Sequence, residues 1–102
     1  MTHLTGKAAI VTGAARGIGA AIARELAEHG ANVVVADING DEAGKTAAEI
    51  EKNNVKALAV EADVSSGKDV AAMVDRTVET FGTVDILVNN AGAIVNKKFS
   101  RL

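Results

Sequence analysis

The 102-residue chain has no cysteine, proline, tryptophan or tyrosine, and only two phenylalanines. Without cysteine there are no disulfides, thiolate metal sites or thiol nucleophile. Without tyrosine, any mechanism that needs a phenol as proton donor is closed to this chain alone. An excess of one charge is also missing. Eleven Lys and Arg stand against 13 Asp and Glu, a formal −2, with no long run of either sign. Nucleic acid and membrane surfaces call for a basic face, so neither is expected as a partner. No apolar run nears the roughly 18 residues of a membrane span. The start, Met1-Thr2-His3-Leu4-Thr5-Gly6-Lys7, lacks the charged and then apolar layout of a signal peptide. A cytoplasmic location is the expectation left by these absences. The remaining composition, 48% hydrophobic and 24% charged, suits a single globular domain over residues 1–102.

Two kinds of segment alternate along it. Short β-branched runs occupy 8–12, 32–37, 56–61 and 84–89, and the second and fourth are nearly continuous in apolar residues, as strands buried on both faces are. Between them lie helix-period stripes: Ile18, Ile22 and Leu26 in 17–29; Ala43, Ala47 and Ile50 in 40–53; Val70, Met73, Val74, Thr77, Val78 and Phe81 in 66–81. Asn39 with Glu42, and Ser66 with Asp69, read as capping boxes, and Gly30 and Gly82 as helix stops. The pattern is βαβαβαβ, which predicts a parallel sheet with right-handed crossovers in a three-layer α/β/α sandwich. Strand ends fall near Thr12, Asp37, Asp63 and Asn89, 25 to 26 residues apart. In open α/β sheets ligands bind outside the carboxyl ends of strands, so these four polar residues are expected along one rim. Strands also turn polar simply on leaving a core; four together favour the rim.

The strongest chemical feature is Thr12-Gly13-Ala14-Ala15-Arg16-Gly17-Ile18-Gly19, directly after the first strand and opening the first helix. Gly13 permits the tight turn, Gly17 lets backbone approach a phosphate, and Gly19 allows close helix–strand packing. The helix N-terminus then offers N–H groups and partial positive charge to a pyrophosphate. No Gly-Lys-Ser/Thr follows, which disfavours a phosphoryl-transfer P-loop. Asp37 ends the second strand 18 residues after Gly19, near where an acid hydrogen-bonds an adenosine ribose. A 2′-phosphate there would meet like charge, about 4 kcal/mol per unit pair at roughly 4 Å and an effective dielectric of about 20, before screening. Arg16 is the counterweight, since a cation in the glycine loop can neutralise such a phosphate; a solvated side chain is its plainer reading. Asp37 therefore decides, and NAD is expected in preference to NADP.

These residues, together with Asn89-Asn90-Ala91-Gly92, Val35-Ala36-Asp37-Ile38 and Asp63-Val64, resemble the short-chain dehydrogenase/reductase family over essentially the whole chain. The resemblance implies a Rossmann-like sheet of about four strands in the order 3-2-1-4. It implies that Gly13, Arg16, Gly17, Ile18 and Gly19 surround the pyrophosphate of NAD. Asp37 would take the adenine-side ribose hydroxyls with Ile38 against adenine, and Asp63 and Val64 would hold the adenine ring. Asn89, Ala91 and Gly92 would border the middle of the cofactor, although a purely structural amide explains Asn89 as well. Family members are usually much longer, and their catalytic Ser, Tyr-x-x-x-Lys and helical Asn lie beyond the Asn-Asn-Ala-Gly motif. Here Asn96 is too close to that motif to be the helical Asn, so the implied object is a truncated dinucleotide-binding domain without catalytic residues.

Other catalytic patterns fail. His3 and His29 show no H-E-x-x-H spacing and read as surface residues, and Ser65, Ser66 and Ser100 lack a G-x-S-x-G elbow. Asp69, Asp75 and Glu79 read as a solvated helix face, and Lys97, Lys98 and Arg101 as a solvated basic tail. Two alternatives stay open. One is half of a split oxidoreductase, with a second chain supplying the Ser, Tyr and Lys. The other is a flavodoxin-like regulatory or interaction domain, which a 2-1-3-4 strand order would reveal. In the order 3-2-1-4 one sheet face carries a single helix, and the fourth strand is an edge with no Pro or Lys to discourage pairing. Self-association through that strand, or cover from a missing C-terminal half, is expected.

Overall fold

Each β-branched run forms a strand and each periodic stripe a helix in the computed structural model, which describes residues 3–90. In chain order these are β1 (Ala8–Thr12), α1 (Gly17–Glu28), β2 (Asn32–Asp37), α2 (Gly40–Ile50), β3 (Ala57–Glu61), α3 (Gly67–Phe81) and β4 (Ile86–Val88). The strands pair in parallel in the order β3-β2-β1-β4. That is the dehydrogenase-type order and not 2-1-3-4, so the flavodoxin-like alternative is set aside. Because β2 and β4 flank β1 on opposite sides, the chain reverses its winding at β1, and a crevice opens at the carboxyl end there.

Side chains alternate across the strands and sort the core into two layers. Ala9, Val11, Val33 and Val35 face α1 and α2, meeting Ala23, Ala27, Ala43, Ala47 and Ile50. Ile10, Val34, Ala36 and Val60 face α3, whose Met73 is the one fully enclosed apolar side chain it sends to that layer. Val70, Val74 and Phe81 are only partly buried, and Val78 is exposed. The three residues of β4 are all half-buried. Among the described residues, one face of the sheet is thus covered by two helices and the other by one, as expected from the order of the strands.

Local departures from the pattern have identifiable causes. The buried face of α1 is Gly19, Ala20, Ala23 and Ala27, while Ile22 and Leu26 are half-buried and Ile18 is 73% exposed. The large residues of that stripe lie beside the contact and the small ones within it, because α1 sits close to the sheet. The second helical segment ends at Ile50 and continues as a 3₁₀ turn over Glu51–Asn53, stopped by left-handed Asn54. β4 is shorter than the run 84–89. At its start Asp85 Oδ2 accepts from Ala8 N–H at 2.9 Å, and at its end Asn90 N–H donates to the Thr12 hydroxyl at 3.0 Å. At the start one backbone bond remains, Asp85 N–H to the Ala8 carbonyl at 2.9 Å, so side chains supply only part of the pairing there. His29 is also not a plain surface residue. Its carbonyl receives Leu4 N–H at 2.9 Å, its ring lies 6.0 Å from that of His3, and its buried Nδ1 has no partner.

Met73 anchors the single helix on the thinly covered face, so its truncation is the most direct probe of that layer. Met73→Ala is expected to lower unfolding free energy by about 2–5 kcal/mol, read from urea midpoints. Val78→Ala, on the exposed side of the same helix, is expected to change it by less than about 0.5 kcal/mol.

Candidate functional site

The turn from β1 into α1 is built around one carbonyl, that of Gly13. Gly19 packs so tightly on it that an added Cβ would fall inside the van der Waals envelope of the Gly13 oxygen, and within 2.7 Å of Asn90 Nδ2. Asn90 Nδ2 in turn donates to that same oxygen at 3.2 Å. Thr12, buried at the end of β1, accepts from Asn90 N–H and donates to Asn89 Oδ1 at 3.1 Å. The first glycine turn is therefore clamped between α1 and the end of β4. Gly17 is held at φ +65°, a left-handed backbone that favours glycine, and faces open space where a Cβ would be.

The three helices begin differently. Asn39 caps α2, its Oδ1 accepting from Glu42 N–H at 3.1 Å, with Asp41 and Glu42 in the first turn. Ser66 caps α3, its Oγ accepting from Asp69 N–H at 3.2 Å. Neither is a reciprocal capping box. The Glu42 carboxylate receives the Asn39 side-chain amide at 3.2 Å, and Asp69 Oδ2 receives Asp63 N–H at 2.9 Å. By contrast, α1 has no side-chain cap and no acid in its first turn. Its positive end is left to whatever approaches the glycine loop.

Asp37 is fixed by backbone donors from two directions. Its Oδ2 accepts from Ala15 N–H at 3.1 Å and its Oδ1 from Asn39 N–H at 2.9 Å. Thr46, buried on the inner face of α2, adds a second tie to the loop by donating to the Ala15 carbonyl at 2.7 Å. Asp63 sits on a turn of its own. The Ser65 hydroxyl and then Ser65 N–H, at 2.7 and 2.9 Å from Oδ1, hold its carboxyl below the usual value of 3.8. Those bonds are present above the ordinary aspartate range and are lost as pH falls through the lowered folded value.

Between these turns lies a cavity of about 300 Å³ lined by Gly13, Asp37, Ile38, Ala62, Asp63 and Val64. Five of these six were singled out in the sequence. Ile38 is 68% exposed at its mouth, an unusual placement for a large apolar side chain. Gly17, Ile18 and Gly19 belong to the first turn of α1, Arg16 projects into solvent beside them, and Asn89 directly follows β4. Ala91 and Gly92 lie outside the described residues. Sequence reasoning passed over Asn90, Thr46 and Ala62. Asn90 stood in the motif already quoted, and Thr46 is the one polar residue on the Ala43-Ala47-Ile50 face.

A parallel sheet reversing at β1, with a glycine turn and an uncapped helix at the reversal, defines a Rossmann-type α/β domain. Residues 7–102 match the family model for short chain dehydrogenases, and the chain belongs to that family. It is 51% identical over 92 residues to the oxidoreductase UcpA of Salmonella typhimurium, covering 90% of this chain and 35% of the relative. It is 46% identical over 97 residues to the 7alpha-hydroxysteroid dehydrogenase of Escherichia coli (strain K12), covering 95% of this chain and 38% of the relative. Among solved structures, a 7alpha-hydroxysteroid dehydrogenase complexed with NADH and 7-oxo glycochenodeoxycholic acid superposes with a TM-score of 0.84 at 47% identity, covering 88% of this chain and 35% of that one. The chain thus spans about a third of the length of the curated relatives it matches.

Two glycine substitutions separate close approach from helix propensity. Gly44 lies within α2 with open space around its Cβ position. Gly44→Ala is expected to stabilise by about 0.5–1 kcal/mol through helix propensity alone. Gly19→Ala gains the same propensity but must displace the Gly13 carbonyl, and is expected to destabilise by about 1–3 kcal/mol. Chemical denaturation of the pair reads both signs.

Proposed function

We propose that this chain is the NAD(H)-binding part of a short-chain dehydrogenase/reductase whose reaction is hydride transfer between the nicotinamide and an alcohol or carbonyl carbon. The observation that carries this reading is the uncapped start of α1 at the glycine turn, opening beside a cavity walled by a pre-oriented carboxylate. The family membership and an NADH-bound relative support it.

The residues suit the cofactor's two chemistries. Gly13, Arg16, Gly17, Ile18 and Gly19 would border the pyrophosphate, whose charge meets the positive end of α1. The cavity lies at the lower end of the roughly 300–1,000 Å³ typical of ligand sites, which fits the adenosine half and not a whole dinucleotide. In it Asp37 would accept from the ribose hydroxyls, with Ile38, Asp63 and Val64 around adenine and Asn89, Ala91 and Gly92 toward the centre of the cofactor. Asp37 disfavours a 2′-phosphate, so NAD is preferred to NADP. Bound NAD supplies the hydride-accepting ring. The proton must move elsewhere, because these 102 residues contain no tyrosine to act on the substrate oxygen. Further polypeptide, in the same chain or a second one, would supply it. The half-buried Ile86, Leu87 and Val88 of β4 give such polypeptide, or a second copy, an apolar edge to cover.

Calorimetric titration tests the cofactor reading. The chain is expected to bind NAD at least about ten-fold more tightly than NADP, and Asp37→Ala to narrow that ratio. Equal affinities in the unmodified chain would sink the role given to Asp37. The purified chain is expected to show no sustained NADH turnover with alcohols or ketones. Light scattering across a concentration series reads the edge: association is expected, weakened by Leu87→Lys.

A further inference from the structure

Arg16 and Glu42 form an ion pair, Nη1 to Oε1 at 3.5 Å, that joins the glycine loop to the first turn of α2. The same Glu42 oxygen accepts from Asn39 Nδ2 at 3.2 Å. Asn39 N–H donates to Asp37 Oδ1, and Asp37 Oδ2 accepts from Ala15 N–H, one residue before Arg16. These contacts close a ring: Ala15, Asp37, Asn39, Glu42, Arg16 and back through the backbone to Ala15. The cation of the glycine loop is therefore already engaged, and by a residue that does not line the cavity.

We propose that Glu42 is a specificity-determining residue: by holding Arg16 against α2 it withholds the guanidinium from a 2′-phosphate, and so reinforces the discrimination made by Asp37. This rests on the adenosine-site reading above. Asp37 acts by repulsion at the ribose. Glu42 acts one step away, by competing for the only cation the glycine loop carries. Arg16 must leave Glu42 before it can pair with a phosphate. The pair is exposed, with the Arg16 side chain at 81% and that of Glu42 at 37%, so solvent screens it and the effect is a modest one.

Glu42→Gln is the informative substitution, because glutamine keeps an oxygen to accept from Asn39 Nδ2 while losing the charge. The probes are 5′-AMP and 2′,5′-ADP, which differ only in the 2′-phosphate and can be titrated by NMR into the millimolar range. Glu42→Gln is expected to tighten 2′,5′-ADP by about two- to five-fold and leave 5′-AMP unchanged, with the gain shrinking as salt is added. Arg16→Gln combined with Glu42→Gln is expected to erase the gain. A gain of equal size in the Arg16→Gln background would mean that Glu42 repels the phosphate directly, and overturns the proposal. Equal changes for both probes would mean that the substitution only perturbs the start of α2, and also overturns it. Should Glu42→Gln fail to fold, Arg16→Gln with Glu42→Ala is compared with each single variant; independent effects on 2′,5′-ADP refute the coupling. If 5′-AMP itself does not bind the unmodified chain, the adenosine-site reading fails, which differs from 5′-AMP binding while 2′,5′-ADP shows no response to Glu42→Gln.

Discussion

The carbonyl of Gly13 is the point on which the rest of the site depends. It ends the turn out of β1, lies under the first turn of α1, and accepts from a side chain that follows β4. Three elements meet at one oxygen because the sheet reverses its winding there. A Cβ on Gly19 would push α1 away from it, and loss of the Asn90 amide would leave the turn without its lateral support. With α1 seated that closely, its axis and its uncapped N-terminus are fixed relative to the sheet. The small residues Ala20, Ala23 and Ala27 then fill a contact in which larger ones would not fit.

Uneven cover of the sheet follows from the same reversal. Two crossovers run toward β3 and place α1 and α2 on one face; the third runs the other way and places α3, the one helix there among the described residues, on the opposite face. The doubly covered layer encloses most of its side chains. The singly covered layer leaves Val70, Val74, Phe81 and Leu87 part exposed, and among the described residues β4 is an edge strand. A domain typically has about 5–15 kcal/mol of stability in all, so apolar surface left part exposed on one face weighs heavily in that balance.

Most of the architecture was legible because strands and helices here carry different periods and are separated by glycines and cap residues. The bounds of β1 and β2 follow directly from Ala8 to Thr12 and Asn32 to Asp37. Less legible was anything set by size and not by polarity. The apolar stripe of 17–29 points through Ile18, yet the packing face runs through glycine and alanine, whose importance lies in what they lack. The clustering of Gly13, Asp37, Ile38, Asp63 and Val64 about one cavity follows from strand ends and the order of the sheet. The ties that fix it, from Thr46 and Asn90, depend on three-dimensional register that spacing alone does not reveal. The ion pair between Arg16 and Glu42 was likewise hidden, since its partners lie 26 positions apart, Arg16 reads by itself as solvated and Glu42 as part of a capping box.

Charge is laid out along the rim in a way that gives direction to the proposed ligand. The β2 and β3 ends carry Asp37 and Asp63, each held by N–H or O–H donors that orient its oxygens. The starts of α2 and α3 are capped by Asn39 and Ser66 and carry acids of their own, so their partial positive charge is answered internally. Only the start of α1, between these carboxylates and β4, keeps its positive end without such an answer. A ligand with hydroxyl donors at one end and an anionic centre meets acceptors and then a helix dipole in that sequence along the crevice. Reversed, its anionic group would face Asp37 and Asp63. Orientation would then be set by the order of the strands, before any contact with the reacting group is made.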